Sequence, residues 1–315
     1  MRQLLTACLV SLAALAGWQE LAAPVPEEPP AQRPEPSAKR PKSTEASALA
    51  LIEKYKGTYT RDATRPGRDV VAVKLVDHRV TDEDVAALVP LNELISLDLA
   101  ASSVTDAAVK DIARFRKLKE LRLWHTPVTG SGFKELAALE GLERLDVSFS
   151  QLKPGYLKDL SHLKALTFLG LSGVESSDSD LKAVAGIKTL TELELVGFAF
   201  SGEAPVTDEL LDALAKLKKL SRLDLGFRGV TDVGLKKLAA IKSLSSLGLA
   251  WTSVTDEGLK DLAAVKGLHS LNLKKTRVTG AGPINLTFNQ KIKASSESKE
   301  HPADKANDFS LESYW

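Results

Sequence analysis

Five histidines, one cysteine and a recurring aspartate are the residues of this chain best able to do chemistry. His78, His125, His162, His269 and His301 include no pair at a metal-ligating spacing such as i, i+4. Cys8 is alone, so there is no disulfide framework and no thiolate metal site. The aspartate recurs in Val-Thr-Asp, at Val80-Thr81-Asp82, Val104-Thr105-Asp106, Val206-Thr207-Asp208, Val230-Thr231-Asp232 and Val254-Thr255-Asp256. Paired acids of a hydrolase would be one reading. The place of each Asp just before an apolar run of helical period favours another, in which Thr and Asp accept hydrogen bonds from the first free helix amides. No glycine-rich phosphate loop, G-x-S-x-G elbow or H-E-x-x-H is present. The sequence therefore assigns no catalytic residue, metal or cofactor.

The elements around these residues repeat. Residues 118–141 read LKELRLWHTPVTGSGFKELAALEG and residues 244–267 read LSSLGLAWTSVTDEGLKDLAAVKG. The last apolar residue of each L-x-L falls at Leu75, Leu99, Leu123, Val147, Leu171, Leu195, Leu225, Leu249 and Leu273, in steps of 24 with one of 30. A fixed period of this length marks a solenoid, whose units bury their apolar faces only by stacking. The L-x-L alternation predicts a strand with one buried face, and runs such as Gly234 to Lys242 predict a helix with one apolar stripe. Parallel strands joined by helical returns coil right-handedly. The fold class is α/β: about nine 24-residue repeats, a parallel sheet on the concave face and helices on the convex face. On that face assignment Leu249→Ala empties core, whereas Gly248→Ser, on the alternating exposed side, is expected to cost much less.

These residues resemble the leucine-rich repeat superfamily over about residues 70–282. The V-T-D-x-G-L-K-x-L-A stretch is similar to the cysteine-containing subfamily of F-box substrate receptors. Ser102, Thr126, Ser150, Thr252 and Thr276 stand where that subfamily has its first cysteine. Bacterial secreted leucine-rich repeat proteins share this departure. The resemblance implies a scaffold for binding and not a chemistry. No F-box-like segment precedes the repeats, so ubiquitin-ligase function is not carried over. The five hydroxyls are expected to bond turn backbone as a ladder, interrupted at Val174 and Arg228.

Five segments are expected. Residues 1–16 read as a signal peptide, with Arg2, an apolar run from Leu4 to Leu15 and Ala14-Leu15-Ala16 as a small-x-small cleavage site. Leu5-Thr6-Ala7-Cys8 also resembles a lipoprotein box, but few apolar residues precede it. Residues 17–43 form a Pro-rich linker and 44–69 an amphipathic capping segment. The solenoid follows over 70–288, then a polar tail over 289–315. Asn285-Leu286-Thr287 is a glycosylation sequon. The apolar run at the N-terminus is too short to span a membrane. Lys plus Arg number 42 against 41 Asp plus Glu, which gives no electrostatic case for nucleic acid or an anionic membrane.

The strand positions facing away from the core read Lys74, Asp98, Arg122, Asp146, Gly170, Glu194, Asp224, Gly248, Asn272. Charges of alternating sign, with Glu120 before Arg144 and Glu192 before Arg222, predict a self-paired, solvated face. Aromatic residues are only 5% of the chain, yet several share the strand ends. His125, Phe149, Phe227 and Trp251 stand two residues after L-x-L, Trp124 one residue after it, and Phe168 lies on a strand. The frame already supplies core leucines, so these six are candidate ligand-binding residues. Packing on one another is the competing reading. The 30-residue repeat adds six residues within Gly197 to Ala204, carrying Phe198 and Phe200; Phe198 also stands in the ladder column.

The resulting expectation is an exported, non-enzymatic module that binds a protein or peptide on its concave face. The alternatives are a cell-envelope structural or tethering protein, or an accessory subunit of an enzyme complex. Secretion or a periplasmic or cell-envelope location follows from the leader. The mature chain is expected to begin near Gly17, which N-terminal sequencing of protein from its native host would show; an intact Met1 on a cytoplasmic chain would refute export.

Overall fold

The computed structural model describes residues 43–64, 67–197 and 208–279, which fall in one compact unit. The expected leader, Pro-rich linker, inserted loop and tail lie outside or largely outside these residues.

Ten strands form one sheet in chain order: β1 Thr58–Arg61, β2 Val70–Lys74, β3 Ser96–Asp98, β4 Glu120–Arg122, β5 Arg144–Asp146, β6 Phe168–Gly170, β7 Glu192–Glu194, β8 Arg222–Asp224, β9 Ser246–Gly248 and β10 Ser270–Asn272. From β2 to β10 every pair is parallel and in register, as Leu97↔Leu121 and Leu223↔Leu247 show. The 24-residue period is thus a spacing of one strand per turn, about 4.8 Å along the stack. The middle leucine and the one that follows the strand point into the core. Leu75, Leu99, Leu123, Val147, Leu171, Leu195, Leu225 and Leu249 are all at most 1% exposed. Leu273, at the far end of the described stack, is only partly buried.

The backbone ladder runs past the strands. Leu123 N–H donates to Asp146 C=O at 2.7 Å, and two residues on His125 N–H donates to Ser148 C=O at 2.9 Å. The same pair of bonds recurs at Leu249 and Trp251.

The N-terminal capping segment contains more than the amphipathic helix. Helix α1 (Glu45–Lys54) buries Ala48 and Ile52, and after it β1 pairs antiparallel with β2. The sequence reading has no strand there. Gly57 makes the tight passage between them feasible: a Cβ would lie 2.6 Å from Leu75 Cδ2 and 2.7 Å from Lys74 O. α1 covers the apolar face that the first repeat would otherwise present to water, and β1 pairs the open edge of the sheet.

The return segments are helices α2 (Asp82–Ala87), α3 (Asp106–Ile112), α4 (Asp178–Val184), α5 (Asp208–Leu214), α6 (Asp232–Leu238) and α7 (Asp256–Leu262). Two returns, Phe133–Ala138 and Leu157–His162, are 3₁₀ helices instead. Both lack Val-Thr-Asp; Val128-Thr129-Gly130 and Leu152-Lys153-Pro154 stand in its place.

The role of the recurring Asp is also corrected. The N-cap is the Thr: Thr105 Oγ1 accepts from Ala107 N–H and Thr255 Oγ1 from Glu257 N–H, both at 3.2 Å. The Asp is the first helical residue, and its carboxylate reaches the next repeat. Asp82 accepts from the N–H and hydroxyl of Thr105, both at 2.7 Å. Asp232 holds Thr255 in the same way at 2.8 and 2.7 Å. Asp106 accepts from Thr129 N–H, Thr129 Oγ1–H, Gly130 N–H and Gly132 N–H. Burial alone would raise its pKa, but these donors together pull it below the usual carboxylate value.

The hydroxyl ladder appears as expected at four of its five positions. Thr126, Ser150, Thr252 and Thr276 each donate to the carbonyl three residues earlier, at 2.5–2.8 Å. Ser102 Oγ is buried and has no partner among the described residues. Arg228 occupies the same column and donates from Nε to Leu195 O at 2.7 Å. Leu195 O is thus served by a guanidinium that reaches back one repeat. Among the described residues no helix is long and apolar enough to cross a membrane.

Leu249→Ala is expected to cost about 2–5 kcal/mol in a urea titration. Gly248→Ser, contrary to the alternation argument, should also be costly, because a Cβ there would lie 2.3 Å from Asp224 Oδ1, which can move aside only by giving up its bond from Gly226 N–H. Introducing Asp224→Ala beside Gly248→Ser should recover most of that loss; equal costs in both backgrounds would show that the carboxylate does not fill the space.

Candidate functional site

Two rows of side chains stand on the sheet face opposite the leucines. The charges pair, though not all along the expected diagonal. Lys74 Nζ lies 3.7 Å from Asp98 Oδ2, as alternation predicts. Arg122 turns to Glu120 of its own strand at 3.0 Å. Glu192 lies between Arg144 and Arg222, 4.0 Å from each. Each exposed pair contributes about 0–1 kcal/mol. The Asp and Asn side chains of the row also have a local duty. Asp98, Asp146, Asp224 and Asn272 accept from the backbone N–H two residues on, at 3.0–3.1 Å, and so brace the turn that follows each strand.

Glu194 is the electrostatic exception. Burial, then the charges of Asp146, Asp224 and Glu192, push its pKa up to about 7 against an opposing pull from Arg222. Burial raises Asp224 as well, opposed by its bond from Gly226 N–H. The crowding follows from the register. Gly170 lies between Asp146 and Glu194 and has no side chain to separate them, and Glu194 pairs directly with Asp224 across β7 and β8. Among the described residues no group of three or more His, Cys, Asp or Glu is placed to hold a metal ion.

The six candidate ring residues form two groups and one outlier. Trp124 contacts His125 (ring centroids 5.3 Å) and meets Phe149 edge-on at 5.6 Å. Phe227 and Trp251 stack at 5.3 Å with 14° between planes. The stack leaves Trp251 50% exposed. Phe168 is not an open anchor. Arg144 lies over its ring at 4.0 Å, and only 7% of the residue is exposed. The two groups are separated by the repeats that carry Gly173 and Gly197 in the ring column. The structure therefore does not assemble one continuous aromatic wall, and both competing readings hold in part: rings pack on each other, and some remain open.

The rings stand at a backbone position that sequence reasoning missed. Ala101, His125, Phe149, Phe227, Trp251 and Lys275 all have φ between 53° and 59°, and Gly173 in the same column has 63°. A left-handed residue turns the chain out of the strand while its N–H still reaches the next repeat. For an L-residue this conformation costs roughly 1–2 kcal/mol. The two glycines in the column were the available signal. Side chains here stand at the C-terminal edge of the sheet, at its junction with the turns, rather than across the strand face.

Nine in-register strands, spaced by 24 residues with one step of 30 and joined by helical or 3₁₀ returns, decide the architecture. The fold is a leucine-rich repeat solenoid. No family model and no curated protein matches the chain. Among solved structures it is similar to an internalin C2 of Listeria monocytogenes, at 21% identity over 78% of this chain and 90% of that chain, with a TM-score of 0.44. A leucine-rich repeat protein of Leptospira interrogans matches at 20% identity over 61% of this chain and 52% of that one, with a TM-score of 0.45. A second Listeria monocytogenes internalin matches at 16% identity over 81% and 95%, with a TM-score of 0.40.

The raised pKa of Glu194 gives this solenoid a pH-dependent stability. Below about 4.5 the carboxyl is protonated folded and unfolded, and no penalty exists. The penalty grows as pH rises and is complete above about 7. Glu194→Gln should therefore stabilise the protein by about 1–3 kcal/mol at pH 8 and not at pH 4. Thermal melts at both pH values test this, and an equal effect at the two would show that the ionised carboxylate is not crowded.

Proposed function

We propose that the chain is an exported, non-enzymatic binding module that recognises a protein or peptide on the strand side of the solenoid. The observation that carries this reading is the pair of ring groups at the strand ends. Trp124, His125 and Phe149 form one and Phe227 with Trp251 the other, in a chain whose core is mainly leucine and valine and holds its own buried rings, Phe115 and Phe133, elsewhere. A half-exposed Trp on an outward-turned backbone position adds nothing to the stacked core. Apolar surface of that kind is the usual anchor of an interface, where one side chain can contribute 2 kcal/mol or more. Phe168 is withdrawn from the anchor set because Arg144 covers it. The paired sheet face beside the rings supports specificity through rim charges rather than affinity.

A second reading, that of an envelope spacer or accessory subunit tethered through residues 17–43, draws on the Pro-rich composition of that segment and on the self-paired face. The two readings separate by crosslinking a partner in envelope extract and then measuring binding of variants by calorimetry. Trp251→Ala, Phe227→Ala and Trp124→Ala are expected to weaken binding about tenfold or more, and Lys237→Ala, on α6, to leave it unchanged. Ring variants that bind as well as wild type, with a partner lost only on deleting residues 17–43, would favour the spacer.

A further inference from the structure

The two ring groups sit in opposite electrostatic surroundings. Residues 67–197 carry 16 Lys and Arg against 20 Asp and Glu, whereas residues 208–279 carry 13 against 8. In the first region many cations are already engaged: Lys74 with Asp98, Arg79 with Asp77, Lys117 with Glu93, Lys119 with Glu143, Arg122 with Glu120. Beside Trp251 the situation reverses. Lys274, Lys275 and Arg277 are all exposed, and among the described residues none has an ion-pair partner. Lys275 Nζ lies 6.0 Å from the Trp251 ring, and Lys274 C=O accepts Trp251 N–H at 2.8 Å, so Lys275 adjoins the ring and the turn that carries all three cations is bonded to it.

The carboxylates that might have neutralised them are committed to backbone and neighbours. Asp256 accepts from Thr279, Asp232 from Thr255 and Asp224 from Gly226 N–H, while Glu257 pairs with Lys260. The far end of the described stack thus carries a half-exposed indole with Lys275 beside it and Lys274 and Arg277 exposed on the same turn, none of the three ion-paired among the described residues.

We propose that this edge, built from Phe227, Trp251, Lys274, Lys275 and Arg277, docks an acidic segment of a partner protein, with an apolar residue on Trp251 and carboxylates on the flanking cations. This inference rests on the binding reading above and adds the partner's chemistry. Indole plus cations also suits single-stranded nucleic acid. The acidic row Asp146, Glu194 and Asp224 argues against that occupant. It repels a continuous phosphate backbone crossing the sheet face, whereas a peptide can place its few carboxylates only where the cations stand.

The test uses the full chain and a randomised dodecapeptide display library, with the enriched peptides then synthesised and titrated. Circular dichroism confirms that each variant folds. The expected result is enrichment of peptides with several Asp or Glu around an aromatic or aliphatic residue. Their binding should fall about tenfold or more on Trp251→Ala and on the double change Lys274→Glu, Lys275→Glu, survive Trp251→Phe, weaken with salt, and ignore Trp124→Ala. No enrichment, or peptides without an acidic excess, overturns the proposal. If enriched peptides ignore the C-terminal variants but are lost on Trp124→Ala, the proposal fails while the binding reading stands; if no ring variant matters, both fail. Binding of a twelve-nucleotide oligothymidylate with the same variant dependence, where acidic peptides do not bind, overturns it in favour of nucleic acid.

Discussion

Stacking in register is the constraint on which everything else in this chain depends. No single repeat has enough apolar surface to fold alone, so the leucines of each must lie on those of the next at the strand spacing. Backbone hydrogen bonds enforce that spacing along β2 to β10 and, from β3 to β9, continue three residues beyond the strand. The left-handed residue after most of the L-x-L elements is a consequence. It lets the chain leave the sheet while its N–H remains in the ladder. The conformational cost recurs in nearly every repeat and is offset by a bond that would otherwise be missing from a buried turn.

The polar columns serve the same constraint. An Asp at the start of a helix that held only its own cap would stabilise one repeat. Reaching the next Thr, as Asp82, Asp106 and Asp232 do, couples neighbours on the helix side as the strand ladder couples them on the sheet side. Where the pattern fails, the structure substitutes. Arg228 supplies a donor to Leu195 O from the next repeat, at the one place where the period lengthens to 30. Where Gly130 or Pro154 replaces the helix-starting Asp the return tightens to 3₁₀ geometry, whereas Ser176-Ser177-Asp178 keeps the Asp and starts an α-helix; the leucines of the tightened returns remain buried all the same, Leu136 and Leu160 both being fully enclosed. Burial of the stripe, and not helix type, is what the stack requires.

Binding capacity is left to positions that stacking does not consume. The strand face is largely spent on itself, with carboxylates bracing turns and arginines shared between strands. The strand-end edge is different. Its side chains need satisfy no neighbour, so glycine, alanine, lysine and three kinds of ring all occupy the column. That freedom makes the edge the natural place for recognition, and it accounts for two ring groups of differing charge on one scaffold.

Much of this was legible in the sequence because a repeat reports its own structure many times over. The period, the inward leucines, the strand-then-helix order and the hydroxyl ladder all followed from residue type and spacing, since each is a local rule applied at every turn. What the sequence did not disclose depends on contacts between turns. The Asp of Val-Thr-Asp looked like a cap because only the neighbouring repeat shows where its carboxylate goes. Gly248 looked like a tolerant surface position because nothing local reveals that Asp224 leans into the space above it. Phe168 looked open until Arg144 from the adjacent strand covered it. The strand β1 had no alternating apolar signal, being held by pairing with β2 rather than by burial. Periodicity determines the axis of the solenoid and which faces point inward; only the stacked structure decides what each outward side chain meets, because that is set by a residue 24 positions away.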